Sequence, residues 1–80
     1  MTTEHIQSKD DLVAHLGMIR SDFEKNGSNW ENESLPNYLE AFQAFLEATE
    51  SYYKNRKENI DEVNTWRVIA DCFSAARIYE

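Results

Sequence analysis

The chain is short of the residues that most site chemistry requires: it holds one cysteine, two histidines, one proline and two glycines. A lone Cys72 excludes an intrachain disulfide and a thiolate metal cluster, and it fits a reducing compartment. Two glycines cannot build a phosphate-cradling loop, and no GxSxG, P-loop, GxGxxG or HExxH pattern occurs. Only His5 and His15 are candidates for a neutral-pH acid or base. His5 stands in a polar, patternless start, while His15 borders an apolar stripe, where an amphipathic boundary residue is the better account than a general base. Cys72 has only Arg67 and Arg77, five residues away on either side, as cationic neighbours, and it reads as a buried, inert thiol. No pair of His or Cys falls at i,i+4 or at Cys-x-x-Cys spacing, and Glu47 with Glu50 at i,i+3 makes only an exposed acid pair. No cofactor, no metal and no catalytic residue is expected, and the chain does not read as an enzyme.

Bases are scarce as well. Fifteen Asp and Glu stand against eight Lys and Arg, for a net charge of -7. The excess is local: residues 1–50 hold ten acids and three bases, whereas residues 51–80 hold five of each. Such a surface repels phosphate backbones and anionic lipid, so neither nucleic acid nor membrane is an expected partner, but a basic protein is allowed. No apolar run approaches the roughly 18 residues of a membrane span, and no basic start leads into an apolar stretch. A cytoplasmic protein is expected.

What the chain does hold is helix pattern and aromatic area. Eighty residues make one domain, burying roughly 60–65% of the unfolded surface, and ten aromatics supply much of that burial. Residues 1–7 are patternless and are expected to fray. Ser8-Lys9-Asp10-Asp11 resembles a capping box, and Leu12, Leu16, Ile19 and Phe23 follow on one narrow stripe, predicting a first helix over about 9–25 that Asn26-Gly27 stops in a left-handed turn. Trp30 lies in the connector and reads as a plug over the core, with an exposed binding anchor as the alternative. Ser34 caps, and Pro36 opens, a long helix predicted to run to Tyr53. Its apolar arc spans about 180°, centred on Leu35, Leu39, Phe42 and Leu46, wide enough to face two neighbours and so to be the central helix of the domain. Lys54, Arg56 and Lys57 close it as cations suited to the negative helix end. Ile60 and Val63 pin a connector that can form one helical turn. Asn64 or Thr65 then caps a last helix with the stripe Trp66, Ile69, Ala70, Phe73 and Ala76. No segment alternates as a strand would. The expectation is an all-α, compact three-helix domain with a long central helix and a short extra turn before the last helix.

The residues Trp30-Glu31-Asn32, Leu35, Tyr38-Leu39-Glu40-Ala41, Tyr52-Tyr53-Lys54-Asn55, Trp66 and Ala75-Ala76-Arg77-Ile78-Tyr79-Glu80 carry a likeness. On them, from about Ser8 to Glu80, the chain resembles a family of small, mainly bacterial proteins known only as a domain of unknown function, whose members end in a Tyr-Glu pair. Phe45 stands where such members often have a further Trp. The resemblance implies no activity, cofactor or site residue; it implies Trp30 and Trp66 as core anchors and Asn32 or Ser34 as caps.

The function expected is a non-catalytic protein–protein interaction module, of an immunity, inhibitor or adaptor kind. The alternative is a small-ligand-binding or regulatory helical domain holding an apolar molecule between helices. Glu40, Gln43, Glu47 and Glu50 fall within about 80° of one another on the helix opposite its apolar arc. They read either as a solvated face or, extended by Glu31 and Glu33 and flanked by Trp30, as a patch that meets a basic partner.

Overall fold

The structure, a computed structural model, describes residues 2–79. Three of its helices begin where short polar side chains take up the orphan N–H groups of a first turn. Ser8 Oγ accepts from the Asp11 N–H at 3.2 Å, Ser34 Oγ from Asn37 at 3.3 Å, and Asn64 Oδ1 from Trp66 at 2.8 Å. The elements are α1 (Lys9–Asn26), α2 (Leu35–Glu47), α3 (Thr49–Asn55) and α4 (Thr65–Ala75), with 3-10 turns at Gly27–Asn29 and Ile60–Glu62. The all-α class and the short turn before the last helix are as expected.

The helix predicted over Ser34–Tyr53 is instead two helices, because Ala48 leaves helical geometry at φ -96°, ψ 4°. The Thr49 hydroxyl donates to the Leu46 carbonyl at 2.8 Å, a local bond that competes with the helical ladder and tightens the turn at this point. Nor does Asn26-Gly27 form a left-handed stop. Gly27 has φ -58° and continues into a 3-10 turn. Its missing side chain serves a close approach instead, since a Cβ there would meet the Phe23 ring at 2.8 Å. The left-handed residue is Lys57, with φ 63°. It ends α3 in a Schellman arrangement, with the Glu58 N–H on the Tyr53 carbonyl at 2.8 Å and the Lys57 N–H on that of Lys54 at 2.9 Å.

The central element is α4, not α2. α4 packs against both α1 and α2, which do not make a comparable contact with each other. Its buried residues Arg67, Ala70, Asp71 and Cys72 spread over about 200° of the helical wheel. Ala70, Cys72 and Ala76 are small, so the flanking helices come close. α2 buries only the side carrying Ala41 and Phe45. Leu35, Leu39 and Leu46, predicted to be core, are exposed by 68, 55 and 50%. Phe42 keeps a partner in Phe73, with ring centroids 4.8 Å apart and edge to face.

Within the segment 1–7, expected to fray, residues 3 and 6 are packed down: Ile6 is fully buried and joins Leu12 and Ala70 in the core, and Thr3 is buried with its hydroxyl bonded to Asp71. Met1 lies outside the described residues. The end of α4 is fastened from the α1–α2 connector. Asn32 is not a helix cap; its side-chain amide donates to the Ala76 and Tyr79 carbonyls at 3.0 and 2.7 Å, and its N–H to Arg77 at 3.1 Å. These bonds satisfy carbonyls that a helix end leaves without partners. Tyr79 packs edge-on against Phe45, and the Glu80 of the Tyr-Glu ending lies outside the described residues.

The outcome is a flat molecule, with a Cα framework of 34 × 26 × 17 Å. Its accessible surface is 5534 Å², where about 5,000 Å² is usual for a chain of this mass.

Candidate functional site

Because α1 and α2 flank α4 without closing over it, a groove of about 400 Å³ runs between them. Leu16, Ile19 and Phe23 of α1 form one wall, Leu35 and Tyr38 of α2 the other, and Phe73 of α4 lies on its floor. On α2 the leucines at 35, 39 and 46 share one side with Phe42, since they recur at helical spacing. Leu35 to Leu46 spans about 16 Å, or three turns.

Trp30 closes one end. Its indole packs edge-on to Phe23 at 5.0 Å and stacks on Tyr38 at 5.7 Å, and its Nε1 donates to Asp22 Oδ2 at 2.8 Å. The Arg77 guanidinium lies over the ring at 5.9 Å and pairs with the same Asp22 oxygen at 3.4 Å. The bond from Trp30 is the main reason the Asp22 carboxyl titrates below the usual range, and Asn26 and Arg77 add to it. Trp30 is thus half-buried, both a plug and part of the groove wall.

Charges at the groove are few and unequal. Arg20 lines the α1 side and Glu33 the α2 side. Glu40 and Glu47 are exposed and stand about 130° round α2 from the leucine stripe, on the side turned away from α4. Glu50, beyond the break at Ala48, belongs to α3, so the acidic stripe expected on one helix is divided. Glu31 is exposed in the connector. Among the described residues, Glu33, Glu40 and Glu47 have no ion pair, whereas Glu4, Asp22, Glu58 and Asp71 each face an arginine.

The titratable groups elsewhere are drawn inward. His15, expected at a boundary, is buried; its Nε2 lies 2.7 Å from Ser74 Oγ, and burial lowers its pKa, with His5 adding to the effect. Burial raises the Cys72 thiol to about 11. Asp71, also buried, accepts from both Thr3 and Tyr53, with Arg67 Nε at 3.8 Å. Arg67 in turn forks onto both oxygens of Glu58 at 2.9 and 3.2 Å. This polar core links the N-terminal segment, α3 and α4. Among the described residues, no group of three or more His, Cys, Asp or Glu is placed to hold a metal ion, and no helix is long and apolar enough to cross a membrane.

Sequence reasoning found Trp30 and the acids but missed the groove. Its signal was the 180° arc on α2, wider than the single face that α4 covers. Compared with known proteins, residues 8–80 match the model of a family described as a family of unknown function (DUF7660). No curated protein and no solved structure matches the chain.

Proposed function

The chain belongs to that family of unknown function, and we propose that it is a non-catalytic protein–protein interaction module whose recognition surface is the groove between α1 and α2. One observation carries this reading: the leucine stripe of α2 is turned to solvent beside an apolar groove, in a protein that is otherwise strongly acidic. Contiguous exposed apolar surface rimmed by polar groups is costly in water and marks sites that a partner covers. An inhibitor, immunity or adaptor role needs no more chemistry than this. The acids at 33, 40 and 47 then act on encounter, drawing a basic protein partner and disfavouring acidic ones. The proposed setting is the cytoplasm.

The test is comparative capture from the native host with three immobilised forms: wild type, Leu35→Ser/Leu39→Ser, and a control altered far from the groove, Glu62→Gln. A protein partner retained by wild type and the control, and lost by the groove variant, is the expected result. Equal capture by all three forms removes the groove from the function. A second reading has its own support, since about 400 Å³ lies within the usual range of small-ligand pockets. An apolar small molecule that raises the unfolding temperature of wild type, and not of the groove variant, would favour it.

A further inference from the structure

We propose that Ser74 is a covalent acceptor site, with His15 as its base, and that it takes an acyl group from an activated ester of an aromatic alcohol. The site opens into a second concavity, lined from α4 by Asp71, Ser74 and Ala75. Their centre stands about 150° round the helix from Phe73, the floor of the groove between α1 and α2. The inference therefore does not depend on the interaction reading.

His15 and Ser74 are 59 residues apart, and the packing of α1 on α4 brings His15 Nε2 to 2.7 Å from Ser74 Oγ. His15 is only 2% exposed, and burial keeps its imidazole neutral by holding its pKa below the ordinary 6.5. A neutral ring with its proton on Nδ1 offers the Nε2 lone pair to the hydroxyl. A serine inside a helix ordinarily turns its hydroxyl back on the carbonyl one turn earlier. Among the described residues that of Ser74 has its one hydrogen bond to His15 instead. A hydroxyl within hydrogen-bond reach of an imidazole is the arrangement that activates a serine for covalent chemistry.

Ser74 itself is half-buried and lines a concavity of about 620 Å³. A bond that only tied α1 to α4 would need no such opening over its oxygen. Phe45, Tyr52 and Tyr79 stand along the concavity, with Phe45 edge-on to Tyr52 at 5.0 Å and to Tyr79 at 5.4 Å, and these rings suit an aromatic leaving group. Arg77 is the one cation lining it among the described residues. Its Nε donates to the Ser74 carbonyl at 2.8 Å and its Nη1 to Asp22 at 3.4 Å, which leaves Nη2 for the oxygen that turns negative during transfer. In the step, Ser74 Oγ bonds to the ester carbonyl carbon and the bond from that carbon to the aryl oxygen breaks. The hydroxyl proton passes to His15 Nε2 and from there to the departing aryl oxygen. His15 is shut off from water behind Ser74, so the acyl group stays on Oγ and one equivalent is taken up without turnover.

The experiment treats the intact 80-residue chain with p-nitrophenyl acetate at neutral pH and reads the acetylated positions by mass spectrometry of a digest. Ser74 is expected to be acetylated well ahead of Ser28 and Ser51, which are exposed and have no hydrogen bond to a histidine among the described residues. His15→Gln is expected to slow labelling at Ser74 about a hundredfold or more, the usual contribution of a general base, while the lysines react as in wild type. Circular dichroism matching wild type separates this loss from misfolding. Wild type in denaturing urea gives a check that needs no variant, since Ser74 is expected to react there no faster than Ser28. Acetylation of lysines alone, equal rates at Ser74 and the exposed serines, or an unchanged rate at Ser74 in His15→Gln overturns the inference. So does a preference for Ser74 that survives urea, because the folded geometry is then not its cause. An acetyl group lost again from the folded chain contradicts the single transfer. None of these outcomes alters the capture test of the groove, in which Leu35 and Leu39 are the residues changed.

Discussion

Asp71 accepts hydrogen bonds from Thr3 and Tyr53 inside the core, so removing either hydroxyl leaves a buried carboxylate oxygen short of a donor. Tyr53→Phe is expected to cost about 1–3 kcal/mol in urea unfolding, the usual penalty for such an orphan. His15 sets a separate pH dependence. Its folded pKa lies below the ordinary 6.5, because of burial first and the charge of His5 second, with Asp71 opposing. The unfolded chain therefore binds a proton near pH 6.5 that the folded chain refuses, and stability falls as pH drops through about 6.5. The carboxyls of Glu4, Asp22 and Glu58 have lowered pKa values and act only in a more acid range, below ordinary values of 3.8 to 4.5. Unfolding midpoints at pH 7.5 and 5.5 are expected to differ in wild type and to converge in His15→Gln. Cys72, buried with a raised pKa, is expected to react with a thiol reagent only as fast as the chain opens; rapid labelling of the native protein would contradict that.

At the scale of elements, what holds α2 is Ala41 and Phe45 rather than its leucines. Phe45→Ala is expected to cost about 3–5 kcal/mol, measured by urea unfolding, which for a domain this small is a large share of its stability. Much of the helical frame was legible. The starts at Ser8, Ser34 and Asn64 follow from short-range capping chemistry, which the sequence carries within four residues. Periodicity tells which α2 residues share a side, but not which part of a 180° arc meets a neighbour, and so it places the leucine stripe in the core. It also hid the centrality of α4. There, burial around most of the helix depends on Arg67 and Asp71 finding Glu58, Tyr53 and Thr3, three groups distant in sequence. The break at Ala48 was hidden for a related reason: alanine is a good helix former, and only the bond from Thr49 to Leu46 marks the turn.

The whole molecule is a layer with α4 in the middle and an apolar groove on one side. Of the candidate site, the sequence showed Trp30 and the acids directly, but the groove exists only because α1 and α2 stand apart, a tertiary fact with no local signature. The central claim is that the leucines of α2 are kept at the surface for a partner and not for the fold. The thermal unfolding midpoint of Leu35→Ser/Leu39→Ser, beside that of wild type, tests it most directly. Surface substitutions move stability by no more than about 0.5 kcal/mol each, and 1 kcal/mol is worth about 4–8 °C in a domain of this size. The midpoint is therefore expected to stay within about 8 °C of wild type or to rise. A fall of about 15 °C or more, or loss of cooperative unfolding, would mean that these leucines are core residues and that the groove is no open surface.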